Sequence, residues 1–344
     1  MKDTVGREID YMRISVTDRC NLRCRYCMPE GIDCVPMEQI LTYEEICSVA
    51  EAAAELGISK IRVTGGEPLV RKGCHNLVRM IKAIPGIEKV TLTTNGVLLG
   101  EQAESLIEAG IDGINVSLDT LDREQFARIT GYDLSGKVTD AVFKAVQMGV
   151  KVKLNVVSLD FSKVQAADDV RKAGESTLKS IPQDWMDLIA LTKNNAIDVR
   201  FIEIMPIGHG RNFPAVGHDQ LLAALKDFYP GLERAESVHG AGPAVYYHIP
   251  GHMGDIGLIS AMHGKFCAGC NRIRLTAKGY LKPCLCYENG IDLRPILRAK
   301  LSEKDKRQVL RDHICSTILE KPKEHCFEEP ESITEHEDMV SIGG

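Results

Sequence analysis

Short runs of apolar and β-branched residues alternate with helix-forming segments over the first part of the chain. The runs that predict strands lie at residues 11–16, 60–64, 90–94, 113–118, 151–157 and 198–204. Strands separated by helices indicate βαβ units and a parallel sheet. Six units are too few for a closed eight-stranded barrel. The pattern therefore predicts an α/β fold built on an incomplete (βα)6 TIM-like barrel.

The segment between the first two predicted strands shows the helix signals clearly. Thr42 and Glu45 have the spacing of a capping box. Apolar residues recur at helical spacing from Ile46 to Leu56, and Gly57 predicts the end of the helix. This segment is therefore predicted to cover one face of the sheet.

The alternation of strands and helices stops near residue 208. Glycine- and proline-containing segments at residues 240–243 and 249–257 indicate short strands and turns. We expect a partial barrel over residues 5–228 and a smaller, β-containing C-terminal domain over residues 229–344.

Polar residues and glycines are concentrated where the predicted strands end. In parallel α/β folds these carboxyl ends meet at one face, where active sites form. The residues at these ends are the cysteine loop after the first strand, Gly65, Gly66, Glu67, Pro68, Asn95, Gly96, Ser117, Asp119, Asn155, Glu203 and Met205. Their common position predicts a single site at the mouth of the barrel.

Three cysteines, Cys20, Cys24 and Cys27, follow the first predicted strand. A structural zinc site usually has four protein ligands, whereas an open coordination position serves chemistry. Cysteine thiolates hold iron–sulfur clusters, so three ligands predict a [4Fe–4S] cluster with one open iron. A zinc loop with a distant fourth ligand and three unrelated thiols are the alternatives.

A second group of cysteines lies in the C-terminal part of the chain, at Cys267, Cys270, Cys284 and Cys286. The spacing fits a closed zinc site as well as a second iron–sulfur cluster held by three of the four. Arg272 and Arg274, two apart on a predicted strand, point to the same side. Paired guanidinium groups suit phosphate oxygens, although a solvated surface pair is the alternative.

Composition and charge exclude several classes of protein. A formal net charge of −6 over 344 residues argues against nucleic-acid binding, although a local arginine cluster can still hold an anionic small molecule. No apolar run approaches the roughly 20 residues that span a bilayer, and residues 1–11 lack the apolar part of a signal peptide. Seven of the twelve cysteines fall in the two clusters, which indicates metal binding in a reducing compartment. We expect a cytoplasmic protein without nucleic-acid or membrane partners.

The spacing of Cys20, Cys24 and Cys27, with Tyr26 before the last cysteine, resembles the signature of radical S-adenosylmethionine (SAM) enzymes. In that superfamily the open iron binds SAM. Electron transfer from the cluster then releases a 5′-deoxyadenosyl radical from SAM.

Nearly the whole chain, residues 6–344, resembles the GTP 3′,8-cyclase family, which begins molybdenum cofactor biosynthesis. The resemblance rests on residues 6–7, 11–29, 64–68, 93–96, 115–122, 198–203, 205–206, 267–275, 284 and 343–344. It implies that the radical removes the C3′ hydrogen of the GTP ribose, and that C3′ then bonds to C8 of guanine.

The resemblance also implies roles for individual residues. The implied cluster ligands are Cys20, Cys24 and Cys27 for the first cluster and Cys267, Cys270 and Cys284 for the second. The implied SAM contacts are Tyr26, Gly66, Glu67, Ser117 and Met205. The implied GTP contacts are Arg13, Arg62, Thr93, Lys153, Arg200, Arg272 and Arg274. Arg272, Arg274, Gly343 and Gly344 are the expected catalytic residues, and the Gly-Gly end is expected to thread into the active site.

The implied cofactors are two [4Fe–4S] clusters and SAM, and the implied substrate is GTP. The implied partners are a flavodoxin or ferredoxin as electron donor, a downstream cyclic pyranopterin monophosphate synthase, and a second copy of the chain in a homodimer. The expected reaction class is that of a lyase.

The chain departs from the family pattern at residues 160–181, which form an insertion, and at Cys286, which we interpret as a bystander. A radical SAM peptide-modifying enzyme with an auxiliary cluster is a competing hypothesis. A non-catalytic zinc or electron-transfer protein is another.

Overall fold

The fold is taken from a computed structural model, which describes residues 1–28, 35–159, 178, 180–213, 216–236, 239–264 and 266–343. Most of the 160–181 insertion, and Gly344, lie outside these residues.

Twelve strands of the described chain form one sheet, in the order β12-β11-β10-β1-β2-β3-β4-β5-β6-β9-β8-β7. The strands are β1 Tyr11–Ser15, β2 Lys60–Thr64, β3 Lys89–Thr94, β4 Gly113–Ser117, β5 Val152–Val157, β6 Ile197–Ile202, β7 Glu233–Arg234, β8 Val245–His248, β9 Ile256–Ile259, β10 Arg272–Leu275, β11 Tyr280–Lys282 and β12 Ile291–Asp292. The helices are α1 Tyr43–Glu55, α2 Cys74–Lys82, α3 Leu99–Glu108, α4 Arg123–Thr130, α5 Ser135–Gln147, α6 Gln183–Asn194, α7 His218–Phe228, α8 Arg294–Leu297 and α9 Glu303–Leu319.

The six predicted strands are confirmed as β1 to β6, with ends that agree to within two residues. Each is paired in parallel with the next, which is the core of an incomplete TIM-like barrel. The capping box of α1 is also confirmed, because the Thr42 hydroxyl accepts from the Glu45 amide and the Glu45 carboxylate accepts from the Thr42 amide. Apolar residues of the strands and the inner helix faces share one large core.

Strands from the C-terminal part of the chain extend the barrel sheet at both ends. β10 pairs in parallel with β1, and β9 pairs in parallel with β6. Antiparallel β11 and β12 follow on one side, and β8 and β7 on the other. The domain boundary between residues 228 and 229 stays a prediction, and the sheet is continuous across it.

A smaller hydrophobic cluster lies under the C-terminal segment of the chain. Its buried members are Ile207, Leu285, Cys286, Phe327, Ile333 and Ile342. These residues come from distant parts of the sequence, so the cluster holds the end of the chain against the barrel. None of the helices in the described ranges combines the length and the apolarity needed to span a bilayer.

Candidate active site

A cavity of about 320 Å³ opens at the carboxyl ends of the parallel strands. Six of its lining residues are cysteines, namely Cys20, Cys24, Cys27, Cys267, Cys270 and Cys284. The two groups of three therefore face one space, although about 240 residues separate them in the sequence. Seven other residues predicted at the strand ends also line this cavity, namely Gly65, Gly66, Asn95, Ser117, Asn155, Glu203 and Met205.

The first cysteine group is held in a tight turn after β1. The amides of Cys27 and Met28 both donate to the carbonyl of Cys24, at 3.0 and 2.9 Å. Burial raises the pKa of Cys27 to about 12 and also raises the pKa of Cys24. Neutral thiols are therefore favoured without a cation, and a bound metal would displace their protons. Three partly buried sulfur donors on one short turn fit an iron–sulfur cluster.

Gly66 lets the backbone after β2 lie directly against the cysteine loop. A Cβ atom at this position would come within 2.5 Å of the Arg19 carbonyl oxygen. The Gly66 amide donates to the Thr17 carbonyl at 2.7 Å, and the Glu67 amide donates to the Arg19 carbonyl at 2.8 Å. The glycine is required because any side chain would push the two loops apart.

Glu67 lies beneath the cavity wall and is fully buried. Its carboxylate accepts hydrogen bonds from the Leu69 amide at 3.0 Å, the Thr94 hydroxyl at 2.7 Å and the Asn95 amide at 2.6 Å. Burial raises the pKa of Glu67 to about 7 despite these bonds. The Glu67 carboxyl group thus ties the ends of β2 and β3 together beside the cysteine loop.

The other predicted SAM contacts, Tyr26, Gly66, Ser117 and Met205, all line the cavity. The Tyr26 hydroxyl donates to the Asp119 carboxylate at 2.7 Å, and the Val157 amide donates to the other oxygen of Asp119 at 2.8 Å. Burial raises the pKa of Asp119 to about 6. These bonds fix the Tyr26 ring between the cysteine loop and the ends of β4 and β5.

The second cysteine group lies beside two cations. Burial raises the pKa of the Cys270 thiol, but the positive charges of Arg272 and Lys321 outweigh this effect and lower the pKa to about 6. The Arg272 guanidinium also lies 3.9 Å from the Cys270 sulfur. A thiolate is therefore stabilised at this position, which fits a metal ligand. Cys286 does not join this group and is buried in the smaller hydrophobic cluster instead.

Arginines form a row across three neighbouring strands. Arg13 of β1 pairs in register with Arg274 of β10 on one side and with Arg62 of β2 on the other. Strands in a sheet are about 4.8 Å apart, so these side chains share one face at close range. Burial, followed by the charges of Arg274 and Arg62, lowers the pKa of Arg13, and burial with the charge of Arg272 lowers the pKa of Arg274 to about 10.

The charge of the cavity is strongly one-sided. Arg13, Arg62, Arg200, Arg272, Arg274 and Lys321 all line it. Glu203 is the single carboxylate residue among the described lining residues, and backbone amides of His218, Met262 and His263 already donate to it. Like charges this close destabilise the protein unless an anion binds among them. The cavity therefore suits a polyanionic ligand.

Two buried hydroxyl groups on the same wall also lack protein partners. The oxygens of Tyr11 and Thr93 are buried and make no hydrogen bond within the described structure. A buried polar group without a partner costs roughly 1–3 kcal/mol, which a ligand can recover by bonding to it. Both residues line the cavity.

The predicted GTP contacts differ in where the structure places them. Arg13, Arg62, Thr93, Arg200, Arg272 and Arg274 line the cavity, and Arg200 is oriented by Asn155 at 3.0 Å and Asn115 at 2.5 Å. Lys153 is not part of the cavity lining. Its ammonium group contacts the Asp198 carboxylate at 2.9 Å, the Tyr246 hydroxyl at 2.9 Å and the carbonyl of His239. A direct substrate contact by Lys153 stays a prediction.

The end of the chain reaches the strand ends of the barrel. Arg274 donates to the carbonyl of Gly343 at 3.1 Å. Gly343 has a φ of +75°, and a Cβ atom there would lie 3.1 Å from the Cβ of Ser15. Position and backbone conformation both require glycine. Gly344 lies outside the described residues.

Sequence reasoning missed Lys321 and the role of Arg7. The Lys321 ammonium group donates to the carbonyls of Arg272 and Pro283 at 2.8 and 2.7 Å. Arg7 donates to the carbonyls of Cys267 at 3.0 Å and Pro322 at 2.8 Å. Both side chains fasten the second cysteine loop. A lone lysine gives no spacing signal, so Lys321 had no feature that would have identified it.

Comparison with known proteins defines first the class and then the family. The profile of the Radical SAM superfamily matches residues 14–173, and that of Molybdenum Cofactor Synthesis C matches residues 197–327. The Streptococcus suis SuiB structure has a TM-score of 0.58 and 16% identity, covering 98% of this chain and 78% of SuiB. At this identity the likeness shows the fold alone. The chain is thus of the radical SAM class.

Relatives identify the family within this class. A GTP 3′,8-cyclase of Clostridium perfringens strain 13 is 42% identical over 346 residues, which cover 100% of both chains. A GTP 3′,8-cyclase of Peptoclostridium acidaminophilum is 43% identical over 348 residues, covering 99% of this chain and 98% of the relative. The chain belongs to the GTP 3′,8-cyclase family. Its cofactors are SAM and two [4Fe–4S] clusters.

Proposed function

We propose that the protein is a GTP 3′,8-cyclase that begins molybdenum cofactor biosynthesis, and that its reaction class is that of a lyase. The main support for this proposal is the single cavity that is lined by two cysteine groups and a row of arginines. The first cysteine group suits a cluster that binds SAM. The arginines and the second cysteine group suit the binding of GTP. Family membership supports the same reading.

We assign the first cluster to Cys20, Cys24 and Cys27, and the second to Cys267, Cys270 and Cys284. A reduced cluster held by Cys20, Cys24 and Cys27 would supply the electron for reductive cleavage of SAM. Tyr26, Gly66, Ser117 and Met205 shape the SAM side of the cavity. The buried Glu67 carboxyl group lies behind this wall with a raised pKa, and the cationic groups of bound SAM would favour its ionised form.

The cationic wall, formed by the cavity-lining arginines and Lys321, holds GTP for the reaction at its ribose. Arg13, Arg62, Arg272 and Arg274 offer charge-assisted hydrogen bonds to phosphate oxygens in a partly buried space, where such bonds are strong. The substrate is thereby oriented so that the C3′ hydrogen is removed and C3′ bonds to C8 of guanine. Fixed geometry of this kind lowers the barrier through orientation. The contact between Arg274 and Gly343 supports a role for the end of the chain at the same wall.

The remaining assignments follow from this function. A flavodoxin or ferredoxin is the proposed electron donor, and a cyclic pyranopterin monophosphate synthase takes the product. The cytoplasm is the proposed location, because clustered metal-binding thiols require a reducing compartment. We also propose a homodimer, two domains meeting near residue 228, and a GTP contact by Lys153.

The deciding experiment uses anaerobically reconstituted protein with dithionite, SAM and GTP deuterated at the ribose C3′. Deuterium in the 5′-deoxyadenosine product is the expected result. SAM cleavage without deuterium transfer would retain the radical SAM class and reject GTP as the substrate. A peptide-modifying activity would be the next hypothesis in that case.

Arginine variants test GTP cyclisation separately from SAM cleavage. Arg272→Ala and Arg274→Ala should each abolish GTP cyclisation while SAM cleavage persists. Arg298→Ala is a matched control, because Arg298 pairs with Glu45 on the surface at 2.8 Å, away from the cavity. Full cyclase activity in either cavity variant would contradict the assignment of the arginines to GTP.

A further inference from the structure

Cys286 and Cys326 lie side by side, although they are 40 residues apart in the chain. Their sulfur atoms are 3.1 Å apart. The Cys326 amide also donates to the Cys286 sulfur at 3.4 Å, and the Cys326 thiol lies 3.1 Å from the Ser332 carbonyl oxygen. Neither residue lines the cavity that holds the two ligand groups. The two thiols thus form a pair outside the cluster sites.

The two sulfurs differ in how an oxidant can reach them. Cys286 is fully buried in the smaller hydrophobic cluster, among Leu285 and Phe327. Cys326 is only partly buried. An oxidant in solution therefore reaches the Cys326 sulfur before the Cys286 sulfur, which lies 3.1 Å away in the protein interior. This is the arrangement of a reactive thiol with a resolving thiol.

We propose that Cys286 and Cys326 are a redox site that forms a reversible disulfide, separate from both iron–sulfur clusters. The Cys326 thiolate attacks a disulfide oxidant such as oxidised glutathione, and one glutathione thiolate leaves. The Cys286 sulfur then displaces the second glutathione from the mixed disulfide. In total two S–H bonds break, one S–S bond forms, and two electrons and two protons pass to the oxidant.

The bond would fasten the C-terminal segment next to the second cysteine group. Cys286 follows the predicted ligand Cys284 by two residues, and its carbonyl accepts from the Glu335 amide at 3.3 Å. Glu335 in turn pairs with buried Lys282 at 2.5 Å. Noncovalent contacts alone hold this segment in the reduced protein. The disulfide adds a covalent tie to the segment that leads to Gly343, whose carbonyl accepts from Arg274.

The test uses the reconstituted holoenzyme under anaerobic conditions with oxidised glutathione, followed by alkylation, digestion and mass spectrometry. We expect a peptide pair joined through Cys286 and Cys326 that is two hydrogens lighter than the free peptides. The iron content should stay unchanged, and dithiothreitol should restore both thiols. Hydrogen exchange of residues 327–343 should slow in the oxidised form.

Matched variants separate the pair from the other thiols. Cys326→Ser should lose the cross-link, whereas Cys315→Ala should keep it, because Cys315 lies on α9 away from the pair. A stable glutathione adduct on Cys326, a cross-link to Cys284, or a cross-link that appears only with loss of iron would each overturn the proposal. The wild-type mapping decides the question even if a variant folds poorly.

Discussion

Thr93 offers a test in which protein stability and substrate binding change in opposite directions. Its buried hydroxyl oxygen has no partner in the described structure and faces the arginine-rich cavity. Thr93→Val replaces that hydroxyl with a methyl group of similar size. The free protein should gain stability, because an unpaired buried polar group costs roughly 1–3 kcal/mol.

The GTP complex should be weakened by the same substitution. A hydrogen bond to a charged group is worth roughly 1.5–3 kcal/mol, which corresponds to an increase in Kd of about 10- to 150-fold. The assay is calorimetric GTP binding to reconstituted protein, together with urea unfolding of the free protein. Reducing agent and iron content are held constant between the variants.

Thr94→Val is the matched control on the same strand. The Thr94 hydroxyl donates to Glu67 at 2.7 Å and accepts from the Gly96 amide at 3.0 Å. Its loss should lower the free energy of unfolding by roughly 1.5–3 kcal/mol. If Thr93→Val binds GTP like the wild type, or is destabilised as Thr94→Val is, the reasoning about the unpaired hydroxyl is wrong.

Three further predictions concern the tail, the second cysteine loop and pH. Gly343→Ala should lower cyclase activity without changing iron content. Alanine disfavours a φ of +75°, and its Cβ atom would lie 3.1 Å from the Ser15 Cβ, so the tail should shift; unchanged turnover would refute this. Arg7→Lys should reduce bound iron from about eight towards four, since lysine cannot reach the Cys267 carbonyl and the neighbouring loop together; full iron content would contradict it. Burial lowers the pKa of His218 to about 4, from 6.5 in the unfolded chain. Between these two pH values the unfolded chain binds a proton that the folded protein does not. The free energy of unfolding should therefore fall as the pH drops through this window. Measured by urea unfolding at pH 5, this loss should be about 2 kcal/mol smaller in His218→Gln than in the wild type.

The local order of the fold could be predicted from the sequence. Runs of apolar and β-branched residues identified β1 to β6, and the capping box identified the start of α1. Both depend on neighbouring residues, so they can be seen without knowing the fold. The clustering of polar residues at the strand ends also follows from the chemistry of parallel sheets.

Pairing across long separations could not be predicted in this way. The sequence indicated strands after residue 229, but their places beside β1 and β6 depend on which sheet ends were open. The row of Arg274, Arg13 and Arg62 exists only because β10 pairs with β1. Spacing along the chain carries no information about that register.

The sequence by itself determined the elements, the two cysteine groups and the residue types that suit an iron–sulfur enzyme acting on an anion. Only the tertiary structure decided that both groups face one cavity, that Lys153 pairs with Asp198, and that Cys286 lies beside Cys326. The reason is physical: motifs express local chemistry, whereas partners distant in sequence meet through packing of the whole chain.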